Sequence, residues 1–390
     1  MRQLFLTGAG ILVLASAACT TTSHEGRGAG PTVPATPPSP AMSPSPETTS
    51  SKTNPLLDHW SGPYGGVPAF DQIRIEHFRP ALETSMDEYR REIAGLANEP
   101  AAPTFENTIA AFEKLGQRFE EVSTLYGIWS SSLNGPEFQA LEREMAPRLA
   151  ALSDEIIQNE RLFQRIAAVY ESPEKAKLTP EQQRLVWHHY TRFVRSGAKL
   201  DAEKKKQLSA LNQRLASLYT NFGQNVLADE EGYALVLESE AELDGLPESV
   251  RAGAAAAAAS RGLAGKWAIT NTRSSMEPFL TYSARRDLRE KVWRNYVNRG
   301  DNGDARDNNK HISEILQLRA ERAKLLGYQT HAHWRLENTM AKTPERAMQL
   351  MEAVWTPAVA RARRNNGLPG RDPIVILRYS EGSLAPPAGT

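Results

Sequence analysis

Cysteine is all but absent: Cys19 is the only one in 390 residues. No intramolecular disulfide can form, no metal site can draw on several thiolates, and no cysteine nucleophile lies in the body of the chain. An excess of charge is missing too. Lys and Arg number 46, Asp and Glu also 46. A balanced chain argues against nucleic acid or another polyanion as its main partner. There is no G-x-S-x-G elbow, no phosphate loop and no dinucleotide glycine pattern. The histidines are His24, His59, His77, His188, His189, His311, His331 and His333, and no two are four apart. H-E-x-x-H is therefore absent, and nothing sets two imidazoles on one helix face with a glutamate between them.

The polar residues that remain have structural readings. His331 and His333, two apart, point to different sides of a helix. His24 precedes Glu25 in a proline-rich stretch. His188 and His189 read as packing or surface residues rather than metal ligands, and His311 as a cap or solvent group near a helix start. Glu106, Glu120, Glu121, Glu142 and Glu321 fall on amphipathic patterns, where a solvated face is expected. Trp129, Trp187, Trp267, Trp293, Trp334 and Trp355 read as core packing ahead of peptide binding. Taken alone, the residues specify no catalytic and no metal site.

What is present begins with an export signal over residues 1–18. Arg2 is a minimal basic start, an apolar run extends from Leu4 to Ala15, and Ser16, Ala17 and Ala18 are small. The run is too short to span a membrane. Cys19 directly after small residues resembles a bacterial lipobox, with Ser16 where leucine is usual. In that reading its sulfur takes a diacylglycerol and Cys19 becomes the mature N-terminus, anchoring the protein to a membrane. Ordinary cleavage near Ala17 or Ala18 is the alternative. Residues 19–53 hold Pro31, Pro34, Pro37, Pro38, Pro40, Pro44 and Pro46 among Ser, Thr, Ala and Gly. Such a stretch has too little apolar surface to fold and reads as a disordered tether. Both features place the protein outside the cytoplasm, in a bacterial envelope or periplasm.

Residues 54–364 are patterned as helices. Phe105, Ile109, Phe112 and Leu115 form one apolar face in a helix expected to run on through "GQRFEEVSTLYGIW". Thr179, Pro180 and Gln182 make a capping box with proline at the first helical position, and Gly197 is the stop. Asp201 caps a long helix that repeats Leu208, Leu211, Leu215 and Leu218. "YALVLES" (residues 233–239) and "KWAIT" (266–270) read as strands flanking an alanine-rich helix at 247–261, stopped by Gly262. Helices follow at 285–298, 308–326, 331–339 and 344–364, the last capped by Thr343 and striped with Ala347, Leu350, Met351, Val354 and Trp355. The fold class is mainly α: a long-helix bundle with a small strand–helix–strand insertion.

Five segments carry a family resemblance in the same order. They are "PAFDQIRIEHFRPALE" (68–83), "PTFENTIAAFEKLG" (103–116), "FVRSGAKLDAEKKKQLSALNQRLASLYTNFGQNVL" (193–227), "SRGLAGKWAIT" (260–270) and "RAERAKLLGYQTHAHWRLENTMAKTPERAMQLMEAVW" (319–355). From about residue 70 to 364 the chain resembles the N-terminal half of a peptidyl-dipeptidase of the thimet-oligopeptidase-like zinc peptidase family. The resemblance implies a two-lobed helical body with a deep channel and zinc-dependent release of C-terminal dipeptides from short peptides. In that family the metal activates water, the motif glutamate acts as base, and two histidines with a downstream glutamate bind the zinc. None of those positions has a counterpart here. The resemblance implies only the lobe that walls the channel, with no zinc expected on this chain.

After Arg364 the composition changes. Asn365-Asn366-Gly367 reads as a terminator, Pro369 and Pro373 oppose a helix, and Ile374 to Leu377 is an apolar run without a partner. Residues 365–390 are expected to be foreign to the fold, through a frameshift, insertion or premature junction, or else a naturally disordered end. Three functions remain open: an inactive truncated zinc peptidase, alone or completed by a separate catalytic half; a tethered module that binds peptides or a partner without cutting; or a product with no function. Helices bearing Trp334, Leu350 and Trp355 are expected to expose apolar surface.

Overall fold

The computed structural model describes residues 54–61 and 66–366. The export signal, Cys19, the proline-rich tether, and residues 367–390 with the apolar run at 374–377 lie outside the described residues.

The first layer is a helical bundle. α1 (Ile75–Ala97) buries Phe78, Leu82, Met86, Tyr89, Ile93 and Leu96, a stripe at three- and four-residue spacing. A π-helical turn at Phe105–Ala110 follows, opened by Thr104, whose hydroxyl accepts from the Asn107 amide. The helix expected to continue from here is interrupted. Gly116 takes φ +71, and a new helix, α2 (Gln117–Ser132), starts from it. A Cβ at Gly116 would lie 2.8 Å from the Tyr89 ring, and its N–H donates to Glu92 Oε2 at 2.6 Å. Left-handed backbone and the close ring both require glycine. The expected apolar face survives: Ile109 and Phe112 are buried, and Phe105 and Leu115 pack against the same core.

α3 (Pro136–Ile157), α4 (Glu160–Glu171) and α5 (Pro180–Arg195) complete this layer. The Thr179–Gln182 capping box is formed, each side chain bonded to the other's backbone N–H at 3.3 and 3.0 Å. Phe78, Phe138, Leu162, Ile166, Val186 and Phe193 form the centre of the core. α6 (Ala202–Gly232) begins where Asp201 accepts from the Lys204 amide at 2.9 Å. Its 31 residues span about 46 Å at 1.5 Å per residue. It packs along α3 and, further out, against the helix that follows the insertion.

The insertion has the expected form. β1 (Ala234–Leu237) and β2 (Trp267–Thr270) pair antiparallel, Ala234 opposite Thr270 and Leu237 opposite Trp267. Between them α7 (Glu248–Ala259) packs on β2. α8 (Arg273–Tyr282), which the sequence pattern did not single out, and α9 (Arg286–Val297) close a second small core around Leu237, Ile269, Phe279 and Val292. α10 (Asn309–Leu325) then returns to α6, where Ile315 joins Leu215 and Leu218. α11 (His331–Leu336) and α12 (Pro344–Asn366) end the described chain, α12 reaching two residues past its expected limit at Arg364.

Candidate functional site

α12 starts where Thr343 Oγ1 accepts from the Arg346 amide at 3.3 Å. Its apolar stripe has no cover among the described residues. Leu350 is 69% exposed, Met351 55%, Val354 60% and Trp355 57%. α1 carries an equally regular stripe and buries it, so α12 differs in what packs on it, not in its pattern. A contiguous apolar face of this kind is the surface feature of an interaction site, a ligand groove or an aggregation-prone patch. Leu350 and Trp355 are exposed as their sequence positions imply. Trp334 is not: it is half-buried, and its Nε1 donates to the Arg195 carbonyl at 3.0 Å. α5, 139 residues earlier, supplies that partner, and no local pattern contains it.

Beside α12 lies a cluster of cations. Arg319 Nε donates to Tyr219 Oη at 2.7 Å, and Arg322 donates to Asn212 Oδ1 at 3.1 Å. The Arg322 guanidinium lies 4.6 Å from the Trp334 ring centre and that of Arg335 5.6 Å from it. The His331 ring lies tilted, its centre 5.5 Å from that of the same indole. Among the described residues none of these three arginines has an ion-pair partner, although nearby Arg195 pairs with Glu337 and Arg214 with Glu314. Burial, with Arg322, Arg319 and Arg335 around it, pushes His331 down to about 4. Its Nδ1 and the Nε of Arg322 are buried without hydrogen-bond partners.

Beneath Arg322 lies Asp154, 7% exposed, accepting from Asn212 Nδ2 at 2.8 Å. Burial raises its carboxyl to about 6, against smaller opposing effects of Asn212, Ser209 and Arg322. The folded state therefore holds a proton on Asp154 at pH values where the unfolded chain has released it. This contribution to stability is fully present below the ordinary carboxylate range and is lost as pH rises through about 6. D154N keeps the acceptor for Asn212 and removes the buried charge. It is expected to raise the unfolding free energy at pH 8 by on the order of 2 kcal/mol and to leave it unchanged near pH 3. Urea titrations at both pH values check this, and an equal effect at both would sink it.

His189 is buried, as a packing histidine, with Nε2 2.8 Å from Glu113 Oε1, and that bond holds the Glu113 carboxyl below its usual range. His311 Nδ1 meets Asn308 Oδ1 at 3.1 Å at the start of α10. His331 and His333 diverge, His331 toward the arginines and His333 toward Glu345. Trp129 is core, 5.2 Å from Phe78, while Trp355 departs from the packing reading. Glu142 also departs from its reading as a solvated carboxylate. It is 8% exposed and accepts from Ser130 Oγ, from Asn134 Nδ2 at 3.0 Å and from Gln224 Nε2 at 3.0 Å. Gln224, 82 residues away on α6, makes it a clamp between α2, α3 and α6. Among the described residues no three His, Cys, Asp or Glu side chains converge on a point that could hold a metal ion.

Comparison with known proteins bears on the same segment. Residues 279–367, the end of α8 through α12, match the model for peptidase family M3. The chain is 36% identical over 309 residues to a dipeptidyl carboxypeptidase of Escherichia coli (strain K12), covering 79% of this chain and 45% of that protein. It is 33% identical over 306 residues to oligopeptidase A of Haemophilus influenzae, covering 77% and 44%. It is 31% identical over 323 residues to a probable cytosolic oligopeptidase A of Arabidopsis thaliana, covering 80% and 45%. The chain thus spans less than half the length of the curated relatives it matches. Over its last helices the chain matches peptidase family M3, and along most of its length it is similar to dipeptidyl carboxypeptidase and oligopeptidase A.

Proposed function

We propose that these residues form the non-catalytic helical lobe of an M3-type peptidyl-dipeptidase, walling a peptide channel, and that residues 1–390 alone do not cut peptides. The observation that carries this is the uncovered face of α12 inside the segment matched to the peptidase family. The lobe has the family's sequence and an open apolar surface, while H-E-x-x-H is absent from its sequence. Catalytic residues would come from further M3 polypeptide packed on α12. Export, and lipid attachment at Cys19, would hold the lobe at a bacterial membrane, where peptides are the partners and nucleic acid is not.

The test is an assay of the chain with a short blocked peptide, with and without added zinc, followed by mass spectrometry of released dipeptides. No release is expected. Release that a chelator abolishes would overturn the proposal. In a second arm, the portion of the E. coli relative that this chain does not match is added, and activity appearing only in the mixture supports it.

A second reading, a tethered module that binds peptides or a partner without cutting, is favoured by one feature. Among the described residues the arginines beside Trp334 form no ion pair.

A further inference from the structure

We infer that Arg319, Arg322, Arg335 and His331, gathered around Trp334 beside the apolar face of α12, form a carboxylate-binding site. Among the described residues Arg319, Arg322 and Arg335 form no ion pair, and Arg322 feels the buried Asp154. Arg319 and Arg322 spend one donor each on neutral acceptors, Tyr219 and Asn212, and Arg335 lies over the indole. The carboxylates in the neighbourhood are otherwise committed. Glu337 accepts from Arg195 and Tyr328, and Asp154, whose charge acts on Arg322, is buried and accepts from Asn212. Elsewhere on the same helices the chain matches arginine to carboxylate, as in Arg214 with Glu314, so the missing anion is local to this cluster.

Geometry fits the ligand. A guanidinium presents a planar fork that grips a carboxylate with two parallel hydrogen bonds. Arg322 Nε is an unused buried donor, and His331 Nδ1 is an unpartnered ring nitrogen beside it. Trp334 supplies an apolar floor, and α12, which carries the exposed Leu350, Val354 and Trp355, contacts the helix of Trp334. A ligand with one carboxylate and an adjacent apolar side chain satisfies both parts. The carboxylate can be a peptide's C-terminus or an acidic side chain. The choice of a peptide to carry it rests on the peptidase-family reading; the charge argument does not.

The experiment is isothermal titration of the full chain at low ionic strength with three probes. These are N-acetyl-Ala-Phe as free acid, the same dipeptide as its C-terminal amide, and N-acetyl-Glu-Phe amide. Binding of the free acid alone assigns the site to a terminal carboxylate. Binding of both acids extends it to acidic side chains. Binding of the Glu amide alone assigns it to a side chain. Equal binding of the neutral amide, or no binding of any probe up to about 10 mM, overturns the proposal. R335Q, whose side chain is exposed, and R319Q are each expected to weaken the acid by roughly tenfold. R214Q, which breaks a surface pair outside the cluster, leaves binding unchanged. Equal loss in R214Q and R335Q would also overturn it, since a diffuse charge effect then suffices. Failure here leaves the hydrolysis and mixing assays free to succeed, so the two readings fall separately.

Discussion

With Leu350, Val354 and Trp355 replaced together by glutamine, the native chain stops binding an apolar fluorescent dye and keeps its melting temperature. The three side chains project from one face of α12 and are more than half exposed. Covering a large apolar side chain is worth roughly 1.5–3 kcal/mol, so the face offers on the order of 6 kcal/mol to whatever packs on it. That is about four orders of magnitude in an association constant. Little of it contributes to the folded chain as it stands, because the face meets solvent. Glutamine is as good a helix former as leucine and better than valine or tryptophan, so α12 persists. Surface changes of this kind move stability by less than about 0.5 kcal/mol. Dye fluorescence, sedimentation and a thermal melt on the same samples decide the matter. Undiminished dye binding would place the apolar surface elsewhere. A fall in melting temperature of several degrees would show that the face is already packed.

The opposite behaviour is expected one layer in. F78A costs about 3–5 kcal/mol, a large share of the 5–15 kcal/mol typical of a domain. Phe78 is fully buried, 5.2 Å from Trp129, 5.3 Å edge-on to Phe138 and 6.3 Å edge-on to Tyr126. Removing the ring opens a cavity bounded by α1, α2 and α3 and forfeits aromatic pairs worth about 0.5–1.5 kcal/mol each. The surrounding rings are themselves held by helix packing and cannot collapse into the space. A urea titration followed by circular dichroism reads the loss directly. A change under about 1 kcal/mol would show that the bundle repacks, against the close packing described above.

Phe78 and Trp355 both belong to stripes of helical period, and sequence pattern treats them alike. One is core and the other is surface. The difference lies in partners. α2 and α3 close over α1 through contacts dozens of residues apart, while nothing among the described residues closes over α12. The same distinction separates Glu142 from Glu321. Both fall on amphipathic helices, but Glu142 meets Gln224 from α6 and is buried, and Glu321 stays at the surface with Gln317. Trp334 follows suit, its indole engaged by a carbonyl of α5. The interruption at Gly116 was hidden for a related reason. A glycine inside a helical pattern is tolerated or breaks the helix according to what stands over it, here the ring of Tyr89.

Sequence alone determined the features that act within three or four residues. These are the Thr179 and Asp201 caps, the two short strands with their alanine-rich helix, the apolar stripes, and the absence of H-E-x-x-H. The ordered segments of a peptidase-family lobe were readable there as well. Tertiary structure decided which stripe is buried, which carboxylate is a clamp, and that Arg322, Arg335 and His331 gather around one indole with no ion-pair partner for the two arginines among the described residues. Capping, helical periodicity and turn formation are local interactions written in consecutive residues. Burial and charge balance depend on partners tens to more than a hundred residues away, and folding alone brings those together.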